Sequence, residues 1–182
     1  MTKPSSAPAG ATRAERRSPA APTRDSLRDI GLFGALSDEV LDHLAETLPV
    51  RRIDAGDVVF REGDPAREMF VVLGGEVEVL KRGKRGGETR VALLGPGDWF
   101  GEMSILDVQP RSASVTAVAP ARLLIVNSEA LDGLYRKDVK AYALIVQNVA
   151  RELSRRLRVA DGIIADFMAN VLDEYVVSSR RK

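Results

Sequence analysis

The sequence predicts a mainly β domain, a sandwich or barrel with helices on both flanks, from three observations. Between Val50 and Val126 apolar side chains recur with period two, in short runs separated by glycine and proline turns. On either side of that window the apolar period returns to that of a helix. With 182 residues, the chain has room for one cored domain plus a tail or an extra helix. Many short strands joined by tight turns hide their apolar faces only by closing on themselves or stacking in two sheets.

Residues 1–25, MTKPSSAPAGATRAERRSPAAPTRD, carry prolines at 4, 8, 19 and 22 and no apolar period, so they are expected to be a disordered tail. Order is expected from Ser26, where LRDIGLF makes a short helix interrupted at Gly31. Ser37 caps a second helix, with Asp38 and Glu39 in its first turn and Val40, Leu41, Leu44 and Leu48 toward the core; Pro49 ends it. The strand runs are VRRI, DVVF, MFVVL, EVEVLK, TRVALL, ASVTAV and ARLLIV, broken at Gly56, Gly63, Gly74-Gly75, Gly86-Gly87, Gly95-Pro96-Gly97 and Pro120.

After Asn127 or Ser128, either a good cap, Tyr142, Val146, Val149, Leu153, Leu157, Ala160, Ile164, Phe167, Val171 and Tyr175 form one stripe. It predicts a long helix or a broken pair, with Gly162 as the break, because a mid-helix glycine costs about 1 kcal/mol relative to alanine. The stripe is too long to lie only against a domain this small.

The formal net charge of +1 is uneven: residues 26–179 hold 19 basic and 24 acidic side chains. An acidic folded part lacks the basic face that phosphate contacts require. Cysteine is absent, which removes disulfides and thiolate metal sites, and no window is apolar enough to span a membrane. A soluble, cytoplasmic protein without metal or cofactor is expected. His43 stands alone, without a nucleophile or a paired carboxylate, so no catalytic role is expected.

One stretch breaks the strand pattern with chemistry. GPGDWFGEMS, residues 95–104, is followed by RSAS, residues 111–114. Gly101 lets the backbone take a conformation closed to other residues, so the amides after it can face an anion. Glu102 accepts from hydroxyl or N–H donors, Arg111 offers a fork suited to phosphate oxygens, and Ser112 adds a hydroxyl. A phosphate on Arg111 with a sugar hydroxyl on Glu102 is a nucleotide site. The same residues also fit a salt bridge bracing a loop, with glycines as hairpin punctuation.

The sequence resembles the cyclic-nucleotide-binding domain family, whose cassette reads FGE, a hydrophobic and a small residue, a short helix, then PR, a small residue and Ala. This chain has Phe100-Gly101-Glu102-Met103-Ser104 and Pro110-Arg111-Ser112-Ala113. The likeness runs from about 28 to 160, through Leu32-Phe33, Gly56-Asp57-Val58-Val59-Phe60, Glu62-Gly63-Asp64, Met69 to Leu73, Gly75-Glu76-Val77 and Leu153-Ser154-Arg155-Arg156-Leu157.

The resemblance implies a double-stranded β-helix, a cupin-like jelly-roll barrel, at 26–133, followed by lid and dimerisation helices at 134–177 and a basic end at 178–182. It implies that Glu102 accepts from the ribose 2′-hydroxyl and Arg111 meets the cyclic phosphate. Gly101, Met103 and Ser104 become backbone contacts, Ser112 and Ala113 phosphate contacts, and Val91 and Leu93 base contacts. Cyclic AMP is the first choice from family frequency. Cyclic GMP, which a residue such as Ser112 can also contact through a syn base, and a cyclic dinucleotide stay open.

The function so implied is a sensor, not an enzyme, that couples ligand to its C-terminal helices and acts on an unidentified effector. The alternative is a non-sensing dimerisation or interaction module on the same fold. A homodimer is expected through Val149, Leu153, Leu157, Ile164, Phe167 and Val171. Only 22 residues follow Ala160, so no DNA-reading domain and no direct DNA binding are expected.

Overall fold

A computed structural model describes residues 21–84 and 86–179, with side chains as far as Val171. Residues 1–20 of the expected tail and 180–182 of the basic end lie outside them, as does the side chain of Tyr175. The chain enters helix α1, Arg24–Arg28, through a capping box in which Thr23 and Ser26 bond reciprocally, two residues before the expected start of order. A 3-10 turn, Gly31–Phe33, leads to α2, Asp38–Thr47, which Ser37 caps.

Six strands follow: β1 Val50–Ile53, β2 Val58–Phe60, β3 Glu68–Arg82, β4 Glu88–Leu94, β5 Trp99–Phe100 and β6 Ser114–Asn127. Helix α3, Met103–Leu106, lies between β5 and β6, and α4, Ser128–Lys137, and α5, Val139–Ser179, close the chain. Asn127 caps α4 by accepting from the Ala130 amide at 2.8 Å.

The expected mainly β jelly-roll barrel is not what forms. The fold is mixed α/β, and its sheet is not closed into a barrel. The strand order is β1-β6-β3-β4, with β2 on β6 and β5 on β3. Helix α5 alone has 41 residues, so helix outweighs strand among the described residues.

The strand count differs because Gly74-Gly75 and Pro120 bend strands that they were expected to break. MFVVL and EVEVLK are one 15-residue strand, β3, and ASVTAV and ARLLIV are one 14-residue strand, β6. Their ladder shifts register where Gly74 faces Arg122 and Glu76 faces Ala119, a bulge that accommodates the missing N–H of Pro120. Gly75, at φ 82°, sits so close that a Cβ there would lie 2.2 Å from the Pro120 carbonyl oxygen. At the β4 edge, α5 faces the sheet across a cavity in place of another strand.

The unbroken apolar run Met69–Val72 is buried on both faces of the sheet, because successive strand side chains point oppositely. Met69 and Val71 join Leu124, Val126 and Trp99 under the helices, packed with Leu32, Phe33, Leu41, Ile145 and Val149. Phe70 and Val72 join Val77, Leu94, Phe100, Val115 and Leu123 in a second core on the other face. Asn148 of α5 pins the helical layer by donating to the Leu32 and Gly34 carbonyls at 3.1 and 3.0 Å.

Helix α5 runs unbroken through Gly162. A cost of about 1 kcal/mol is absorbed within a long cooperative helix. One face of its first half is core: Val149 is 3% exposed within its own chain, which leaves it little of the interface surface expected of it, and Leu153 packs, partly buried, on the same cluster. Leu157, Ile164, Phe167 and Val171 are exposed. No described helix is long and apolar enough to cross a membrane.

Candidate functional site

The turn Gly95–Asp98 leads from the end of β4 into the site. Asp98 closes it, its amide donating to the Gly95 carbonyl at 3.0 Å and its carboxylate accepting from the Gly95 amide at 2.9 Å. Gly97 and Asp98 then bond both polar groups of Val72, which starts β5 in register, Trp99 opposite Val71 and Phe100 opposite Phe70. Gly101, at φ 82°, reverses the chain into α3; a Cβ there would stand 2.5 Å from Arg111 Nη1, so glycine is required twice over.

Arg111 is 4% exposed, the guanidinium lying 4.0 Å over the Phe60 ring, beside Phe70. Its Nη1 donates to the Glu68 carbonyl at 2.7 Å and the Gly101 carbonyl at 3.1 Å, while Nε has no partner. The turn Glu62–Asp64 clasps its backbone from below: Arg111 donates to the Asp64 carbonyl, and Gly63 donates to the Arg111 carbonyl, both at 2.9 Å. Lys81 bridges the Glu62 carboxylate at 2.8 Å and the Ser112 carbonyl, so the far end of β3 also holds the segment. Burial pushes the Arg111 pKa down, opposed by Glu68, Asp64 and Glu102, and a guanidinium stays charged throughout.

Glu102 is 5% exposed at the head of α3. Burial pushes its pKa above the usual carboxylate range; its own backbone amide and Arg156 oppose this. Oε1 lies 3.6 Å from Arg156 Nη1, and Oε2 has no partner. Glu102 and Arg111 do not pair with each other among the described ion pairs, so the bracing salt bridge that the sequence also allowed is not formed. Two buried opposite charges each keep an unpaired polar atom, a costly arrangement in the absence of something that completes them.

Both face one cavity of about 680 Å³, and all nine residues expected to bind ligand line it: Gly101, Glu102, Met103, Ser104, Arg111, Ser112, Ala113, Val91 and Leu93. The opposite wall is α5, through Glu152, Arg155, Arg156, Leu157, Ala160 and Ile163, none of which the sequence reading named as a ligand contact. Arg156 is central there. Its Nε reaches Glu152 at 2.8 Å and its Nη2 donates to the Trp99 carbonyl at 2.9 Å. The signal was the pair Arg155-Arg156 set within an apolar stripe, where one of two adjacent arginines must lie near the buried face.

The family described as "Cyclic nucleotide-binding domain" matches residues 50–138. The N-terminal domain of a transcriptional regulator from Streptomyces coelicolor superposes with a TM-score of 0.65 at 32% identity, covering 72% of this chain and 94% of that one. The chain belongs to the cyclic nucleotide-binding domain family.

A solved cyclic nucleotide-binding domain from Methylobacillus flagellatus is similarly close, with a TM-score of 0.67 and 30% identity over 74% of this chain and 75% of that one. The Cyclic AMP receptor protein of Thermus thermophilus is 38% identical over 134 residues, 71% of this chain, which spans 58% of that relative's length. The residues matched to the family include Gly101–Ser104 and Arg111–Ala113, which line the cavity.

Proposed function

We propose that this chain is a cyclic-nucleotide sensor, with cyclic AMP as first occupant, in which ligand binding rearranges α5. The single observation that carries the reading is the pair Glu102 and Arg111, both nine-tenths buried, unpaired with each other, and each with a free polar atom in the family's cassette. In this reading Glu102 accepts from the ribose 2′-hydroxyl and Arg111 meets the cyclic phosphate, helped by Gly101, Met103, Ser104, Ser112 and Ala113. Val91 and Leu93 contact the base. Cyclic AMP is put first because the Thermus thermophilus relative is a Cyclic AMP receptor protein. Cyclic GMP and a cyclic dinucleotide are the alternatives.

Residues 26–133 are the ligand-binding unit and 134–177 the responsive helices. Ligand shifts α5 only through unequal affinity for two helix positions, and Arg156, which ties α5 to both Glu102 and Trp99, is where that inequality arises. The exposed Leu157, Ile164, Phe167 and Val171 support pairing of two chains along α5.

Calorimetry of the full chain with cyclic AMP, cyclic GMP and cyclic di-GMP tests the reading. Saturable binding of cyclic AMP at one per chain is expected, with a change in emission from Trp99, the protein's single tryptophan. Binding of none of the three rejects the sensor in favour of a scaffold that keeps the fold.

A further inference from the structure

The cavity has two chemically different ends. Its polar side chains gather at one end, Asp98, Glu102, Ser104, Arg111 and Ser112 from the β5–β6 segment and the turn before it, and Glu152, Arg155 and Arg156 from α5. Beyond Arg156 the walls change character: β4 offers Val91 and Leu93, and α5 offers Leu157, Val159, Ala160 and Ile163, without a polar side chain among them. From Arg156 to Ile163 is about 10 Å along a helix rising about 1.5 Å per residue, enough to flank an aromatic base. In the single chain these walls are exposed, Val91 at 59% and Ile163 at 65%, so they form an open slot rather than a shaped pocket.

Resting on the sensor reading above, we infer that the site recognises the cyclic phosphate and ribose but is blind to the edge of the purine. Discrimination between bases that differ only in exocyclic groups needs a hydrogen-bonding partner, since a buried polar group left unpaired by the wrong base is what rejects it. An apolar slot offers none, and separates analogues only weakly. The charged side chains of α5 within the cavity are engaged elsewhere, Arg155 and Arg156 both on Glu152. The Ser112 hydroxyl lies at the phosphate end and donates to Met103 Sδ at 3.6 Å. Which cyclic purine nucleotide occupies the site is then set by supply, and apolar additions to the base edge extend along the slot toward solvent.

The test is calorimetry of the wild-type chain against cyclic AMP, cyclic GMP, cyclic IMP and N6-benzyl cyclic AMP. Dissociation constants of the three natural purines within about thirty-fold of one another are expected, with the benzyl analogue at least as tight as cyclic AMP. Ala160→Asn, one turn beyond Arg156 on the same face, places an amide that pairs with the adenine edge, and is expected to widen the gap in favour of cyclic AMP by ten-fold or more. A spread beyond thirty-fold in the wild type, or loss of the benzyl analogue, overturns edge-blindness while leaving the sensor standing. Failure to bind any of the four overturns both.

Discussion

Arg156 on α5 reaches over the cavity to Glu102, with Nη1 3.6 Å from Oε1, while its Nη2 donates to the Trp99 carbonyl at 2.9 Å. One side chain thus joins the long helix to the carboxylate of the cassette and to the strand just before it. Arg156→Met keeps an unbranched apolar stem and removes both ties. A hydrogen bond of this kind contributes about 1 kcal/mol, so amide exchange across residues 152–163 of the unliganded protein is expected to speed up several-fold. Exchange unchanged by the substitution would remove Arg156 as the tie between helix and cassette.

Glu102 gives the unliganded fold a pH dependence of definite sign. Its folded pKa is raised by burial, so the folded state holds a proton at pH values where the unfolded chain has released it. Its contribution is therefore most favourable below the ordinary carboxylate range, and is lost as pH rises through the raised value. Between pH 4 and 7 the urea midpoint of the wild type is expected to fall relative to that of Glu102→Gln, whatever Glu62 and Glu152, both shifted down, add equally to the two proteins. An identical slope in both proteins assigns the dependence elsewhere.

Arg111 does two jobs at once, and its substitution separates them. Arg111→Ala removes the charge expected to meet phosphate, and the loss of a hot-spot contact of about 2 kcal/mol or more corresponds to at least thirty-fold in affinity. It also leaves the Glu68 and Gly101 carbonyls without their donor, at about 1–3 kcal/mol in stability. Arg111→Lys retains charge but not the fork, so stability is expected to recover more than affinity. Titration showing wild-type affinity in Arg111→Ala refutes the assignment of the phosphate site.

The role of Glu102 toward ribose is isolated by changing the ligand along with the protein. Wild type is expected to bind cyclic AMP about ten-fold or more tightly than its 2′-deoxy analogue, a hydrogen bond to a charged acceptor being worth about 1.5–3 kcal/mol. In Glu102→Ala the two ligands are expected to bind alike. A gap that survives the substitution places the 2′-hydroxyl against some other group.

Pairing along α5 is tested at Phe167, which is 64% exposed in the single chain. Burial of a side chain this large contributes about 1.5–3 kcal/mol. Phe167→Asp is therefore expected to weaken self-association by ten-fold or more and leave nucleotide affinity unchanged. Light scattering that gives the mass of one chain for the wild type at tens of micromolar, with and without cyclic AMP, rejects the pair.

Much of this protein was legible locally. Ser37 and Asn127 announce helix starts because a cap is decided by one side chain and the next three amides. The period-two window marks the sheet, and the run Met69–Val72 marks its doubly buried centre. The cassette residues share one cavity because Gly101 and the Gly95–Asp98 turn dictate backbone direction within a few residues. Only the tertiary structure decided whether Gly74-Gly75 and Pro120 end a strand or bend it, since that depends on the partner strand keeping its ladder across the bulge. It also left the sheet open, with α5 in place of a closing strand, and carried α5 intact past Gly162. Arg156 meets Glu102 across 54 positions of sequence. A charge on a helical stripe acquires its partner only when the packing of that helix against the sheet is set, and no spacing rule within the helix contains that information.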